Sequence, residues 1–276
     1  MAAVIRHRNL IPPAAINHNN PAQPDAGLRK YRQLYQEHSD EIVKIVRDLV
    51  GIEPSHRILE TGCGPGTIAY SLVDCLGPDG LYVGFDIVKD ATHWCGQAYR
   101  DYKNIFFLYL PVDVDHYASL AHPFVAYSAA SVFRTADQLR FPFSRESFDR
   151  QVSFSVFSHL DYDQALNYLR EISNVLTPDG LSLNSFFVLD AVALDAVRKG
   201  CATHPFTHRF DARGVYTYYP QNPLMATGFE QDTLFQLYEQ AGLEIVGPVL
   251  YGSWRGIPGG MMNQDIIVAR RKSSAR

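Results

Sequence analysis

An acidic residue followed by three glycines at alternate positions is the strongest chemical signal in the chain. Residues 57–67 read RILETGCGPGT, so Glu60 precedes Gly62, Gly64 and Gly66. Glycine tolerates positive φ and lets a ligand approach the backbone closely, so this spacing indicates a loop wrapped against a small molecule. A dinucleotide loop would read G-x-G-x-x-G and aim N–H groups at a pyrophosphate. The carboxylate of Glu60 would instead repel a phosphate and attract an ammonium or sulfonium cation.

A second acid follows the glycine loop at a spacing of twenty residues from Gly66. The apolar run LYVGF at residues 81–85 predicts a strand that ends at Asp86. In nucleotide-binding α/β folds, an acid at this place accepts hydrogen bonds from a ribose diol. A glycine turn alone is weak evidence for a cofactor site, but two acids at the ends of successive strands are strong evidence.

This two-acid arrangement resembles the S-adenosylmethionine site of class I methyltransferases. The resemblance implies S-adenosyl-L-methionine as cofactor, with Glu60 and the glycine loop around its amino-acid part and Asp86 at its ribose. It also implies that the adenine meets an acid just after the third strand and that the end of the fourth strand lines the methyl group. The cofactor-binding residues expected from it are Glu60, Gly62, Cys63, Gly64, Gly66, Asp86, Ile87, Asp113, Val114, Phe154 and Ser155.

Two segments compete for the adenine position. Asp113 and Val114 directly follow the predicted third strand, residues 104–110, and we favour them for that reason. The stretch ADQLRFPF, which contains Asp137, resembles the D-x-x-x-x-P-F wording of many methyltransferases. We therefore treat residues 115–140 as an insertion that lines the acceptor pocket or a subunit contact.

Strand-like and helix-like segments alternate along most of the chain, which is typical of parallel sheets built with right-handed crossovers. The predicted fold is a Rossmann-like, doubly wound α/β sheet of seven mostly parallel strands, with an antiparallel last strand and an inserted cap. We expect a flexible arm at residues 1–27 and a single methyltransferase domain at residues 28–272. Its insertions lie at 115–140 and at 190–228, and the second is rich in aromatic residues and histidines.

The helix predicted over residues 28–50 carries Tyr31 and Tyr35 one turn apart on one face. These side chains either pack in the core or belong to a lid over the cofactor, and the sequence leaves both interpretations open.

His159 is the candidate catalytic residue. A hydroxyl is a poor nucleophile until its proton is leaving, and a histidine with a pKa near 6.5 suits the role of general base. The alternative is a structural histidine at a helix start, bonded to the backbone. The stretch SVFSHL around it resembles the S-V-F-T-H stretch of bacterial small-molecule methyltransferases, several of which act on sugars or glycolipids. The ending GGMMNQDIIVARRK resembles the same subgroup.

Composition narrows the choice of partner and compartment. The net charge of −4 and the pI near 6.2 favour no nucleic acid or anionic membrane. No apolar run reaches the length of a membrane span, and the N-terminus has no convincing signal-peptide core. The four cysteines have no metal-type spacing and suit a reducing cytoplasm. His204 and His208 are spaced for metal binding on a helix, but Pro205 between them makes a regular helix doubtful, and we predict no metal.

The sequence thus predicts a cytoplasmic, S-adenosylmethionine-dependent O-methyltransferase of a small molecule: a sugar, a glycolipid or another secondary metabolite. A homodimer or higher homo-oligomer is possible. The alternatives are a cofactor-binding protein of the same fold with a non-methylating or regulatory role, and N-methylation of a small amine.

Overall fold

The computed structural model of the chain describes residues 6–13, 16, 28–113 and 134–272. The described residues fall into two compact units, of which the first ends at Pro111 and the second begins at Val112. Seven strands make one sheet, in the order β12 (Leu243–Ile245), β13 (Asp265–Arg271), β7 (Leu176–Phe186), β6 (Phe148–Ser153), β1 (Arg57–Thr61), β2 (Leu81–Asp86) and β3 (Ile105–Tyr109). This confirms the predicted α/β class, with its mostly parallel strands and its antiparallel last strand.

The first unit contains three parallel strands and three helices. Apolar runs form the strands, which present successive side chains to opposite faces. In chain order the elements are α1 (Leu28–Val50), β1 (Arg57–Thr61), α2 (Thr67–Leu72), β2 (Leu81–Asp86), α3 (Lys89–Ala98) and β3 (Ile105–Tyr109). Because β1 and β2 pair with Thr61 opposite Phe85, both strands end at the same edge. The glycine loop and Asp86 both lie at this edge.

Residues 6–13 are packed against the first unit, although the sequence predicted a flexible arm over this stretch. Leu10 and Ile11 are buried. The guanidinium group of Arg6 pairs with Asp40 of α1 and with Asp74. Burial of apolar side chains and ion pairing with acids distant in sequence are not visible in a local composition rich in Pro and Asn.

The second unit contributes four strands to the main sheet. Its elements are β4 (Val112–Asp113), β5 (Arg134–Thr135), β6 (Phe148–Ser153), α4 (Tyr162–Val175), β7 (Leu176–Phe186), α6 (Gln231–Gln240), β12 (Leu243–Ile245) and β13 (Asp265–Arg271). Strands β6 and β7 are parallel, and β13 is antiparallel to both β7 and β12. The register of β7 against β6 jumps from Leu176 to Leu181, which places the predicted turn TPDG at the irregular part of this strand.

A smaller sheet of four strands occupies much of the region that the sequence predicted as a cap. It follows the order β8-β11-β10-β9 and is accompanied by the helix α5. The elements are β8 (Val188–Leu189), α5 (Ala191–Arg198), β9 (His208–Asp211), β10 (Val215–Thr217) and β11 (Thr227–Glu230). Phe187, Phe206 and Trp254 form its core together with small apolar residues. The aromatic side chains of this stretch therefore stabilise an ordered substructure.

The helix α4 begins at a capping box. The carboxylate of Asp161 accepts from the backbone N–H of Gln164 at 2.9 Å, and the side chain of Gln164 accepts from the N–H of Asp161 at 3.1 Å. Each contact satisfies an N–H that the helix cannot pair internally.

Replacement of Asp161 by Ala should lower the free energy of unfolding by about 1 kcal/mol, because the first turn of α4 loses its side-chain acceptor. The shift of the urea midpoint measures this effect. Asp179→Ala, at an exposed position in the β7 irregularity, is the control and should stay within about 0.5 kcal/mol of the wild type. Equal effects of the two substitutions would show that the cap contributes nothing.

Candidate active site

The glycine loop turns sharply because its three glycines all adopt positive φ. Their φ angles are 74° at Gly62, 48° at Gly64 and 82° at Gly66. The N–H groups of Gly62 and Cys63 both donate to the carbonyl of Phe85, at 2.9 and 3.0 Å. The loop is thereby tied to the end of β2, the strand that carries Asp86.

Gly64 and Gly66 lack side chains for different reasons. A Cβ atom at Gly66 would lie 3.1 Å from the sulfur of Cys95, so this position is closed by packing. A Cβ atom at Gly64 would meet no heavy atom within 4 Å. The loop backbone is therefore open at Gly64, which leaves room for a ligand to approach it closely.

Asp86 ends β2, and its carboxylate is tied to the backbone on both oxygens. Oδ2 accepts from the N–H of Gly64 at 2.7 Å, and Oδ1 accepts from the N–H of Val88 at 2.8 Å. Burial raises its pKa above the ordinary value, and the hydrogen bonds from Val88, Gly64 and Ile87 act in the opposite direction. A carboxylate offers about four lone-pair positions, so capacity remains for a further donor such as a ribose hydroxyl.

Glu60 lies buried near the end of β1, with 4% of its surface exposed. The hydroxyl of Tyr82 in β2 donates to its carboxylate at 2.5 Å. Burial raises the pKa of Glu60 to about 8, the hydrogen bond from Tyr82 lowers it, and the charge of Asp86 raises it further. At neutral pH this carboxyl group is therefore mostly protonated until a cation approaches it.

The sequence interpretation missed Tyr82, although one signal for it was present. Gly84 interrupts the apolar strand LYVGFD, and a glycine inside a strand often marks a close approach. A Cβ atom at Gly84 would lie 2.6 Å from the hydroxyl of Tyr82 and 2.8 Å from the Cβ of Cys63. The missing side chain makes the space in which Tyr82 reaches Glu60.

The two candidates for the adenine position lie on neighbouring segments. Asp113 belongs to β4, which pairs in parallel with β5 so that Asp113 stands opposite Thr135. The rival candidate Asp137 follows β5 two residues later and is exposed. Val114 lies outside the described residues. The choice between Asp113 and Asp137 stays a prediction.

Ser155 follows β6 and has an unusual backbone conformation. Its φ of 57° lies in the left-handed region, which is strained for a residue with a side chain and is often associated with function. Its N–H donates to the hydroxyl of Ser185 at 2.9 Å. Its own hydroxyl and that of Ser185 both donate to Oε1 of Gln264, at 3.2 and 2.6 Å. Neighbouring Phe154 is half-buried.

Gln264 and Ser185 were not singled out from the sequence, because they meet Ser155 only through the pairing of β13 with β7. The next residue, Asp265, fixes this strand end. Its buried carboxylate accepts from the N–H of Gly252 at 2.6 Å and from Nε1 of Trp254 at 2.8 Å. Burial raises its pKa to about 6 despite these bonds.

His159 lies in a short 3₁₀ turn, Phe157–His159, between β6 and α4. Its Nδ1 lies 3.1 Å from the carbonyl oxygen of Leu224. Because a carbonyl can only accept, Nδ1 carries the proton, and the basic lone pair of the neutral ring is on Nε2. Burial lowers the pKa of His159, while hydrogen bonds to the backbone at Leu224 and Met225 act in the other direction.

The histidines of the cap do not form a helical pair. His208 begins β9, whereas His204 packs on the ring of Phe187 with 4.7 Å between ring centroids. Within the described ranges, no group of three or more His, Cys, Asp or Glu side chains is arranged to hold a metal ion.

Comparison with known families supplies the identity of the domain. Residues 59–183 match a family described as a methyltransferase domain. The match covers the glycine loop, Asp86, Ser155 and His159. Residues 59–183 are therefore a methyltransferase domain. Its cofactor is S-adenosyl-L-methionine.

Several solved structures share the fold of this chain. The Burkholderia thailandensis 1,6-didemethyltoxoflavin-N1-methyltransferase, with bound 1,6-didemethyltoxoflavin and S-adenosylhomocysteine, is 18% identical over 86% of this chain and 80% of that chain, with a TM-score of 0.52. An S-adenosylmethionine-dependent methyltransferase from Methanosarcina mazei is 19% identical over 83% of this chain and 98% of its own, also at 0.52. The [4+2]-cyclase SpnF is 14% identical over 92% of this chain and 86% of its own, at 0.53. At these identities the likeness concerns the fold.

The chemistry of the loop region fits this cofactor. A buried carboxyl that ionises near a cation, a backbone open at Gly64, and an acid with spare acceptor capacity match an ammonium group and a ribose diol. No helix among the described residues is both long and apolar enough to cross a membrane.

Cofactor binding at neutral pH should release a proton from Glu60. Below pH 8 the empty methyltransferase domain holds this proton, and the ammonium group of the ligand favours the ionised carboxylate. The affinity for S-adenosylhomocysteine should therefore rise between pH 6 and pH 8, by at most about tenfold per pH unit. Calorimetry in buffers of different ionisation enthalpy measures the proton release directly.

Glu60→Gln should abolish the proton release and weaken binding. The matched control is Glu53→Gln, which makes the same chemical change at an exposed position and should leave both quantities unchanged. Binding by the wild type without proton release at pH 7 would contradict the assigned role of Glu60.

Proposed function

We propose that the protein transfers the methyl group of S-adenosyl-L-methionine to a hydroxyl of a small-molecule acceptor. The acceptor class is a sugar, a glycolipid or another secondary metabolite. The methyl donor follows from the methyltransferase domain, whereas the acceptor and the methylated oxygen are proposed here. The protonation state of His159 is the observation that supports this proposal.

His159 has the protonation state that a general base needs. Its lowered pKa keeps the ring neutral at pH 7, and the bond from Nδ1 to the Leu224 carbonyl leaves the lone pair on Nε2. When bound, the cofactor supplies an electrophilic methyl group on a sulfonium. An alcohol needs its proton removed as it attacks, and we assign that proton to Nε2 of His159. A base of this kind contributes about 10²- to 10⁴-fold to a rate.

The remaining site residues bind and orient. Glu60 with Gly62, Cys63, Gly64 and Gly66 would hold the amino-acid part of the cofactor. Asp86 and Ile87 would hold the ribose, and Asp113 with Val114 the adenine. Phe154 and Ser155 would line the methyl end. The strained backbone of Ser155, held by Ser185, supports a binding role at the end of β6.

Two alternatives have support from relatives. SpnF shares the fold and is described as a cyclase, which favours a non-methylating or regulatory role as the rival. The toxoflavin enzyme is described as an N1-methyltransferase, which favours N-methylation of a small amine. An amine nucleophile that is already neutral needs no base, so the contribution of His159 separates O-methylation from this alternative.

We also propose a cytoplasmic location. All four cysteines are free thiols in the structure, as expected in a reducing compartment. A homo-oligomer remains a prediction from the sequence.

The direct test incubates the protein with S-adenosyl-L-methionine and a panel of sugars, glycolipids, phenols and amines, and measures S-adenosylhomocysteine release. Release with hydroxyl acceptors and methyl ethers as products is expected. Tight cofactor binding without release on any acceptor would favour the non-methylating rival, and release with amines alone would favour N-methylation.

His159→Gln should lower kcat by about 10²-fold or more, because the amide can still donate to the Leu224 carbonyl but cannot take a proton. The dissociation constant of S-adenosylhomocysteine should change less than about twofold. The wild-type rate should fall only at a pH below the ordinary titration range of histidine, since burial lowers the pKa of His159.

His93→Gln is the control, because His93 is exposed on α3. It should retain the wild-type rate. A His159→Gln variant with near-normal kcat at pH 7 would remove His159 as the base and leave it a structural histidine.

A further inference from the structure

Carbonyl groups of the glycine loop accept hydrogen bonds from side chains of two helices. The hydroxyl of Tyr35, in α1, donates to the carbonyl of Pro65 at 3.2 Å. The hydroxyl of Tyr99, at the C-terminal end of α3, donates to the next carbonyl, that of Gly66, at 3.4 Å. The two tyrosines come from opposite sides of the loop in sequence, one before β1 and one after β2.

The neighbouring carbonyls are held in the same way. Ser39, one turn after Tyr35 on α1, donates its hydroxyl to the carbonyl of Thr67 at 2.5 Å. The thiol of Cys95 on α3 lies 3.8 Å from the carbonyl oxygen of Gly64. Four consecutive carbonyls, from residue 64 to residue 67, thus face donors on α1 or α3.

These contacts lie on the packed side of the loop. Tyr35 is 3% exposed and Tyr99 is 1% exposed. Burial raises the pKa of both hydroxyls well above the ordinary tyrosine value, so both remain protonated donors at physiological pH. The backbone at Gly64, in contrast, is open at its Cβ position.

We propose that Tyr35 and Tyr99 are positioning residues for S-adenosyl-L-methionine, acting through the carbonyls of Pro65 and Gly66. The two hydroxyls hold the loop in the turned conformation that ties Gly64 N–H to Asp86 and leaves the backbone open. Neither tyrosine needs to touch the cofactor. Both tyrosines act on the glycine loop, so their role does not depend on which acceptor the protein methylates.

A glycine-rich backbone loses more conformational entropy on ordering than any other backbone. If the loop becomes ordered only when the ligand binds, this entropy cost reduces the binding affinity. Three glycines within five residues make this loop prone to that loss. The two tyrosine hydroxyls hold the loop carbonyls before the ligand binds, so the loop does not have to be ordered during binding. The interpretation of α1 as core packing or as a lid is thereby refined: Tyr35 is buried, and it acts on the cofactor loop from behind.

The test uses the full-length chain with Tyr35→Phe, Tyr99→Phe and the double substitution. Phenylalanine keeps the buried ring and removes only the hydroxyl. Calorimetric titration with S-adenosylhomocysteine should show about three- to tenfold weaker binding for each single substitution, the range expected for one lost hydrogen bond. The double variant should lose about the product of the two factors. KM for S-adenosyl-L-methionine should rise by a similar factor, with kcat nearly unchanged.

Tyr31→Phe is the matched control. Tyr31 lies on the same helix, one turn before Tyr35, and donates its buried hydroxyl to the carbonyl of Pro12 at 2.7 Å, outside the glycine loop. This variant should lower the melting temperature by a similar amount and leave the dissociation constant within about twofold of the wild type.

Binding within twofold of the wild type by the double Tyr35/Tyr99 variant overturns the proposal. Equal weakening by Tyr31→Phe also overturns it, because the effect would then follow from general destabilisation. If a tyrosine variant fails to fold, Ser39→Ala takes its place in the test. The proposal predicts that this variant binds S-adenosylhomocysteine more weakly than the wild type, and unchanged binding would contradict it. Because no acceptor is present in these titrations, a failure of the proposed O-methylation leaves their outcome unaffected.

Discussion

The carboxyl group of Glu60 is buried at the end of β1, and the hydroxyl of Tyr82 donates to it. Burial raises its pKa to about 8, and the charge of Asp86 adds to that rise. An ionised carboxylate is costly to bury unless an opposite charge pairs with it. In the proposed site, the ammonium group of the cofactor would supply that pair, and the energy of ionising Glu60 would then be tied to cofactor binding.

The rest of the first unit keeps the glycine loop beside that carboxyl. Gly84 makes space for Tyr82, the carbonyl of Phe85 accepts from the loop, and Asp86 accepts from Gly64 N–H. The helices α1 and α3 then hold the loop carbonyls from the other side. Within this unit, the strand pairing positions two acids and the helices position the loop between them.

The second unit presents a different kind of chemistry. Ser155 is held in a strained conformation by Ser185 and Gln264. Burial lowers the pKa of His159, and the carbonyl of Leu224 fixes the ring proton on Nδ1. These contacts join the end of β6 to β7, to the start of β13 and to the cap. The proposed acceptor binding and proton removal would depend on this histidine and this strained backbone, both of which are supported by contacts from distant segments.

Much of the fold was predictable, because the apolar runs and the turns TPDG and GPDG repeat the strand–helix pattern of parallel sheets. The acids Glu60 and Asp86 were predictable for the same reason, since strand ends meet at one edge. Tyr82, Tyr99 and Gln264 were not assigned roles, because each acts through a contact that depends on tertiary packing. For the same reason the sequence left Tyr35 between core packing and a lid. The docking of residues 6–13 escaped prediction because Leu10 and Ile11 stand in a segment without periodicity.

A crystal structure with S-adenosylhomocysteine bound tests the central claim most directly. The account predicts the amino group of the ligand beside Glu60, its backbone contact at Gly64, and its ribose hydroxyls within hydrogen-bond distance of Asp86. A ligand bound elsewhere, or bound here with its ribose away from Asp86 and its amino group away from Glu60, would contradict the account.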